Sequence, residues 1–116
     1  MVEVRFRRDG RDRLSSVFSR GHAEHGERGE DVVCAAVSAL LQAAWVGLTD
    51  VARVPVSGHR NDGDFLMAWP PEVRGREDVR AIVATAELAI EQLAKQKEYR
   101  RFVRYVREAE PPGENE

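Results

Sequence analysis

The chain is poor in cysteine, in lysine and in long apolar runs. Its 116 residues include one cysteine, Cys34, so no internal disulfide can form, which is typical of cytoplasmic proteins. No uninterrupted apolar run approaches the length of a membrane span, so we expect no transmembrane helix. The charged start of the chain lacks the apolar segment of a secretory signal. Only Lys95 and Lys97 are lysines among the 18 basic residues.

A large net positive charge is also absent. The formal net charge is −2, which argues against a broad basic face that binds nucleic acid. Hydrophobic residues make up 42% of the chain and charged residues 33%, a composition typical of a folded, well-solvated domain. The length corresponds to a single domain with one modest core.

Apolar periodicity and turn residues predict the order of the elements. We predict a strand hairpin over residues 2–20, a helix over 31–47, strands over 51–57 and 64–69, and a second helix over 75–97. Residues 99–107 fit either a helix or a short edge strand. We therefore expect an α+β fold over residues 1–109, a single two-layer domain with a mainly antiparallel sheet packed against two helices. Residues 110–116 are predicted to form a disordered tail.

Residues 21–30, just before the first predicted helix, form a polar, glycine-rich segment that is typical of a mobile loop. With Asp31 as the helix N-cap, Cys34 falls in the first turn, where free N–H groups and the helix dipole lower a thiol pKa. The same N–H groups are candidate oxyanion donors. His22 lies within this loop and can fold back to the sulfur, giving the nucleophile and base needed for acyl transfer.

Two other interpretations of Cys34 remain open at this point. A lone cysteine on an apolar helix is most often a small buried hydrophobe. A zinc site would combine Cys34 with His22, His25 and Asp31, although zinc sites usually add further closely spaced ligands to a His-x-x-His pair. The residue pattern alone does not decide between a nucleophile, an inert core residue and a metal ligand.

Two runs of sequence resemble the signature of the ribosomal-processing cysteine protease Prp family. They are Gly-His-Ala at residues 21–23 and Gly-Glu-Asp-Val-Val-Cys-Ala-Ala-Val-Ser at residues 29–38. The family usually carries an aromatic–proline pair after its last helix, and residues 97–102 lack that proline. This departure leaves the start of the final strand open, but it does not touch the residues that carry the chemistry.

The resemblance implies a cytoplasmic cysteine endopeptidase that needs no metal or cofactor. It would remove the N-terminal extension of large-subunit ribosomal protein twenty-seven, just after a pair of aromatic residues, and act as a homodimer. By match to the motif, Cys34 is the nucleophile and His22 the general base, with Asp31 and Ser38 in support. An active-site loop that orders around the substrate would contain Gly21, Ala23, Gly26 and Gly29.

Each supporting residue also has a purely structural interpretation. Asp31 either caps the helix or orients His22. Ser38, one turn after Cys34, either contacts the sulfur or the loop, or bonds the carbonyl four residues back.

The wider expectations concern partners. We expect Trp45 and Trp69 to be core residues or dimer anchors, and we expect a dimer to bury the parts of Trp45, Phe65 and Trp69 that one chain leaves uncovered. We expect no membrane and no direct nucleic-acid partner. The rival to a protease is a non-catalytic ribosome-associated α+β interaction module in which Cys34 is buried and inert.

Overall fold

A five-stranded sheet and two helices form the fold. The computed structural model describes residues 1–21, 28–61 and 63–111, and of Arg28 only the backbone. The strands are β1 (Val2–Arg8), β2 (Leu14–Arg20), β3 (Ser57–Asn61), β4 (Asp64–Ala68) and β5 (Val103–Ala109), and the helices are α1 (Arg28–Val46) and α2 (Glu77–Lys95). The predicted α+β class is confirmed.

The sheet has the order β3-β4-β2-β1-β5, so β3 and β5 are its edges. Neighbouring strands run antiparallel except β1 and β5, which are parallel. The sheet is therefore mixed but mainly antiparallel. Residues 99–107, which fit a helix or a strand, contain the turn before β5 and its first residues.

One face of the sheet carries the core. In β1 the buried side chains alternate with half-buried ones, and Val4 and Phe6 are almost fully buried, which is the two-residue period of a strand with one covered face. Both helices contribute to the same core with buried residues at helical spacing. From α1 these are Val33, Val37, Leu41 and Ala44, and from α2 they are Val79, Val83, Ala86 and Ile90.

The first helix starts earlier than the sequence predicts. The described helix includes Arg28, Gly29 and Glu30, so Asp31 lies inside the helix and the prediction that it is the N-cap is wrong. Glycine disfavours helix interiors, which is why the pattern indicates a later start. In the fold, the buried ring of Phe102 packs against Gly29, and this tertiary contact extends the helix beyond its local signal.

The segment after α1 also departs from the prediction. The helix continues through a π-helical turn at Gly47–Val51, so the predicted strand over residues 51–57 is wrong. Val54 donates its backbone N–H to the Leu48 carbonyl at 2.8 Å, and its side chain is buried. This segment therefore packs against the end of the helix and does not pair with a strand. The true strand, β3, has five exposed residues and therefore carries no apolar alternation that a sequence could reveal.

The helix over Gly29–Val51 is, at 23 residues, long and apolar enough to span a membrane by length and composition. The prediction of no transmembrane helix rested on the lack of an uninterrupted apolar run, and it stays a prediction. The finding is only a weak indication of a membrane span, since core helices pass the same test.

Residues 110–111 bear on the predicted tail. Glu110 donates its backbone N–H to the Arg8 carbonyl at 2.8 Å and accepts a hydrogen bond from Ser15, so the sheet still holds the chain at this point. Residues 112–116 lie outside the described residues, and the boundary between domain and tail stays a prediction.

Candidate functional site

Cys34 lies in a cleft between α1 and the β3–β4 end of the sheet. The cleft encloses about 460 Å³, and Cys34 is half-buried on its wall. Its floor is apolar, formed by Val2, Val37, Leu41 and Phe65. The thiol is therefore neither sealed in the core nor fully exposed, which is the setting expected of a reactive cysteine rather than a structural one.

The helix position of Cys34 differs from the expected one. Because α1 includes Arg28, Cys34 lies in its second turn and not in its first. The effect of the helix dipole falls off within the first turn, and the backbone N–H of a second-turn residue bonds a carbonyl four residues back. Thus the argument that the helix start lowers the thiol pKa and supplies oxyanion donors loses its geometric basis.

Gly21 brings the end of β2 to the same cleft. Its φ is +107°, a conformation that side chains rarely adopt, and a Cβ there would overlap the Met1 carbonyl. Its N–H donates to the Gly63 carbonyl at 2.9 Å. Residue 21 must therefore be glycine. Its hydrogen bond to Gly63 holds the chain in place just before His22.

His22, Ala23 and Gly26, which are predicted site residues, lie outside the described residues, as does His25. The prediction that His22 is the base therefore stays a prediction. Within residues 1–21, 28–61 and 63–111, no group of three or more metal-ligating side chains is present, so the zinc alternative depends on the two histidines that are not described.

The two supporting residues and Gly29 occupy different surroundings. Ser38 lines the cleft one turn after Cys34, and its Oγ accepts a hydrogen bond from Gln42 Nε2 at 2.9 Å. Asp31 is exposed on α1. Gly29 belongs to α1 and lies against Phe102, so the prediction that it is part of a mobile loop is wrong.

Three further polar side chains, one from α1 and two from the sheet, line the cleft. They were not predicted from the sequence. Asn61 and Asp64 flank the β3–β4 turn, and Gln42 extends the helical line of Cys34 and Ser38. The four-residue spacing from Ser38 to Gln42 could have revealed the glutamine. The residues of the turn gave no such signal, because their place beside the cysteine depends on strand pairing.

An aromatic and cationic cluster lies at one end of the cleft. The Arg60 guanidinium stands 4.6 Å from the centre of the Trp45 ring, and Trp45 meets Phe65 edge to face at 5.8 Å between ring centres. His59 alternates with Arg60 along β3 and so points to the opposite face of the sheet. His59 is thus not positioned to serve the thiol.

Comparison with known proteins gives consistent matches. A sequence profile of the family described as cysteine protease Prp matches residues 1–104. The ribosomal processing cysteine protease Prp of Staphylococcus aureus (strain NCTC 8325) is 37% identical over 68 residues, which cover 56% of this chain and 63% of that protein. The match thus spans less than two thirds of the length of these curated relatives.

Solved structures share the fold. SMU.848 from Streptococcus mutans superposes with a TM-score of 0.81 at 30% identity, covering 95% of this chain and 99% of that one. The ribosomal processing protease Prp of S. aureus, solved with a substrate peptide, gives a TM-score of 0.81 at 21% identity, covering 92% and 99%. The same enzyme was solved with a covalently linked product peptide, with a TM-score of 0.73 at 22% identity and coverage of 92% and 99%.

Proposed function

Because this chain belongs to the cysteine protease Prp family, we propose that it is a cysteine endopeptidase in which Cys34 is the nucleophile and His22 the general base. The observation that carries the proposal is the cleft that holds Cys34. It is lined on its far side by Gly21, the residue that precedes His22. A thiol and a histidine at the same cleft are the minimal nucleophile and base for acyl transfer. Here Cys34 lines the cleft, and His22 directly follows a residue that lines it.

The reaction follows from these two groups. The Cys34 thiolate attacks the scissile carbonyl carbon, and the carbonyl electron pair moves onto oxygen to give a tetrahedral oxyanion. The intermediate collapses as the C–N bond breaks, and the protonated His22 gives its proton to the leaving amine. His22 then takes a proton from water, which attacks the thioester and releases a carboxylic acid and the free thiolate. Cys34, His22 and the attacking water account for every proton that moves, and the proposal includes no metal and no cofactor.

The oxyanion donor proposed here is a side chain. The free N–H groups of α1 belong to its first turn, which precedes Cys34, and the side-chain amide of Asn61 lines the cleft with the thiol. Amide N–H groups held in a partly closed site stabilise a developing oxyanion. Ser38, one helical turn after Cys34, lines the same cleft, and its hydroxyl suits contact with the sulfur or with the loop.

Asp31 and the loop have more distant roles in the proposal. Asp31 is exposed on α1, which suits contact with the incoming loop rather than with the sulfur, since a carboxylate beside a thiol would raise the thiol pKa. Gly21, Ala23 and Gly26 would let the loop close over bound peptide and exclude water.

The proposed substrate is a ribosomal protein that carries an N-terminal extension, specifically large-subunit ribosomal protein twenty-seven, cut just after a pair of aromatic residues. The named S. aureus relative is a ribosomal processing protease. The apolar floor of the cleft and the half-buried ring of Trp45 beside Arg60 offer the surfaces that aromatic side chains need. The free edge of β3, which contributes Arg60 and Asn61 to the cleft, is suited to pairing with an extended peptide.

We also propose a homodimer, but with anchors other than those the sequence indicates. Trp69 and Phe65 are buried within one chain, so the core role of Trp69 is confirmed and the expectation that one chain leaves these two uncovered is wrong. Trp45 is half-buried. The exposed apolar side chains include Val32 and Val46 of α1, at 51% and 48% exposure. A shallow groove of about 390 Å³ between α1 and α2 adds further apolar surface. A second copy of the chain packed against α1 would cover this surface.

The setting proposed for this activity is the cytoplasm, where ribosomal proteins are made. The proposal includes neither a membrane nor a direct nucleic-acid partner. The rival is a non-catalytic α+β module that binds a ribosomal protein, and the exposure of Cys34 in the cleft is the observation that disfavours it.

Two measurements separate protease from module. Acid quenching during turnover of an aromatic-pair peptide should trap a thioester, seen as a mass increase equal to the acyl fragment and located on Cys34. Iodoacetamide should label Cys34 in mildly acidic buffer, because a reactive thiol is partly ionised there. A folded protein that forms no adduct with any ribosomal peptide, and whose thiol resists alkylation, would be the module.

A further inference from the structure

We propose that Phe102 is a positioning residue for Cys34, acting through Gly29 on the first turn of α1. A Cβ on Gly29 would lie 2.8 Å from Phe102 Cε2 and 3.4 Å from Cζ, so the ring edge occupies the space of a side chain at residue 29. Gly29 precedes Cys34 by little more than one helical turn. The proposal rests on the proposed thiol chemistry, because it concerns where the sulfur is held.

Phe102 is anchored independently of α1. Its carbonyl accepts a hydrogen bond from Val2 N–H, and its own N–H donates to the Tyr99 carbonyl, both at 2.8 Å. The ring is 7% exposed, and the Arg101 guanidinium stands 4.6 Å from its centre. The ring is thus fixed to the start of β1, whose Val2 also lines the cleft.

This contact links the two walls of the cleft. The sheet holds Phe102, the ring meets Gly29, and the helix carries Cys34. An α-helix is stiff over a few residues, so a shift at residue 29 moves residue 34 with it. The side chains at residues 29 and 102 therefore set the distance between the Cys34 sulfur and Gly21, which lies on the sheet side of the cleft.

The alternative is that Gly29 serves as a flexible joint. In that case an alanine at residue 29 would act by stiffening the backbone, whatever residue stands at 102. Alanine is also the better helix former. The positioning role makes a different prediction, since the damage from Gly29→Ala should disappear when the ring is removed.

The test compares Gly29→Ala, Phe102→Leu and the double variant with wild type, with Gly75→Ala as the matched control. A Cβ at Gly75 meets nothing within 4 Å. The readouts are the melting temperature, the pH profile of Cys34 alkylation by iodoacetamide, and kcat and KM for an aromatic-pair peptide. Alkylation reports the thiol itself, so it remains informative even if the chain cleaves no peptide and the proposed function fails.

We expect Gly29→Ala to lower kcat about tenfold, the effect of a misplaced nucleophile, with KM within about twofold. Its alkylation profile should shift in the same variant. The double variant should recover to within about threefold of wild type in both readouts, because leucine lacks the ring atoms that meet residue 29. Gly75→Ala should match wild type.

Three outcomes would overturn the proposal. The first is a Gly29→Ala protein that alkylates and cleaves like wild type. The second is a loss that persists in a folded double variant, which would point to the flexible joint. The third is a double variant that does not fold, since the smaller residue should make room for the alanine.

Discussion

At the scale of single residues, Asp9 is a buried carboxylate that several hydrogen bonds hold in place. Its side chain is 2% exposed and accepts hydrogen bonds from the N–H groups of Arg11 and Arg13 and from the side chains of Arg13 and Arg74. Burial alone would raise the pKa of Asp9, but these hydrogen bonds outweigh it and lower the pKa from 3.8 to about 2. Asp9 thereby closes the β1–β2 turn and joins it to the segment before α2.

This lowered pKa predicts a specific loss of stability in acid. The ionised form is favoured by folding, so its contribution, about 2 kcal/mol, is present above pH 4 and lost as pH falls toward 2. Asp9→Asn should therefore lower the free energy of unfolding at pH 7 and flatten its decline between these pH values. Urea unfolding at a series of pH values measures both, with exposed Asp12→Asn as control. An unchanged acid profile in Asp9→Asn would contradict the assignment.

The site residues show how far single-residue reasoning reaches. Cys34 could be identified from its motif, and Ser38 from its spacing on the same helix face. The chemical setting of Cys34 could not, because the helix start depends on Phe102, a residue distant in sequence. Asn61 and Asp64 were missed for the same reason, since strand pairing brings them to the cleft.

At the scale of elements, a buried ion pair fastens α2 to the sheet. Arg8 of β1 makes two hydrogen bonds to the Glu87 carboxylate of α2, at 2.9 and 2.7 Å, with side chains 12% and 7% exposed. Tyr105 of β5 donates its O–H to the same carboxylate at 2.9 Å. Burial and this hydrogen bond to Glu87 raise the pKa of Tyr105 to about 12.

Removing the shared carboxylate should cost far more than removing the phenol. Glu87→Ala leaves the Arg8 charge buried without its partner, so we expect a loss of about 3–5 kcal/mol in the free energy of unfolding. Tyr105→Phe removes one hydrogen bond and should cost about 1 kcal/mol. Urea unfolding at pH 7 compares the two. Similar losses in both variants would mean that the ion pair does not fasten the helix.

The helices and three strands were predictable because their apolar periodicity is strong. β3 was not, since all five of its residues are exposed and only pairing with β4 defines it. The π-helical turn after α1 was also hidden, because Val54 and Val56, which follow it, are spaced as they would be in a strand. A strand with no buried face, such as β3, leaves no periodic signal in the sequence.

At the scale of the whole molecule, the parallel pairing of β1 with β5 ties the two ends of the chain together. On the open face of the sheet, Arg5 and Arg7 both bond Glu108 of β5, at 2.8 and 2.6 Å. The α+β class was predictable from the order of elements. The pairing of β5 with β1 could not be predicted, because local sequence patterns do not show which distant strands become neighbours in a sheet.

The proposed dimer gives a prediction at this scale. Light scattering should return about twice the chain mass of 13.1 kDa, as expected for a closed symmetric pair. Val46→Glu, a charge in the exposed apolar surface of α1, should return a single chain mass from a protein that is still folded, with a lower melting temperature because the partner no longer stabilises it. Exposed Gln96→Glu serves as control. A wild-type protein that stays monomeric at micromolar concentration, or a Val46→Glu protein that still dimerises, would contradict the interface.

The most direct test of the central claim is cleavage of the proposed substrate. The purified chain is incubated with large-subunit ribosomal protein twenty-seven bearing its N-terminal extension, and the products are weighed by mass spectrometry. We expect a single cut after the aromatic pair by wild type, and no cut by Cys34→Ala or Cys34→Ser, because a hydroxyl is a far weaker nucleophile beside the same base. Cleavage by the folded Cys34→Ala protein at the wild-type rate, or an intact extension after incubation with wild type, would contradict the account.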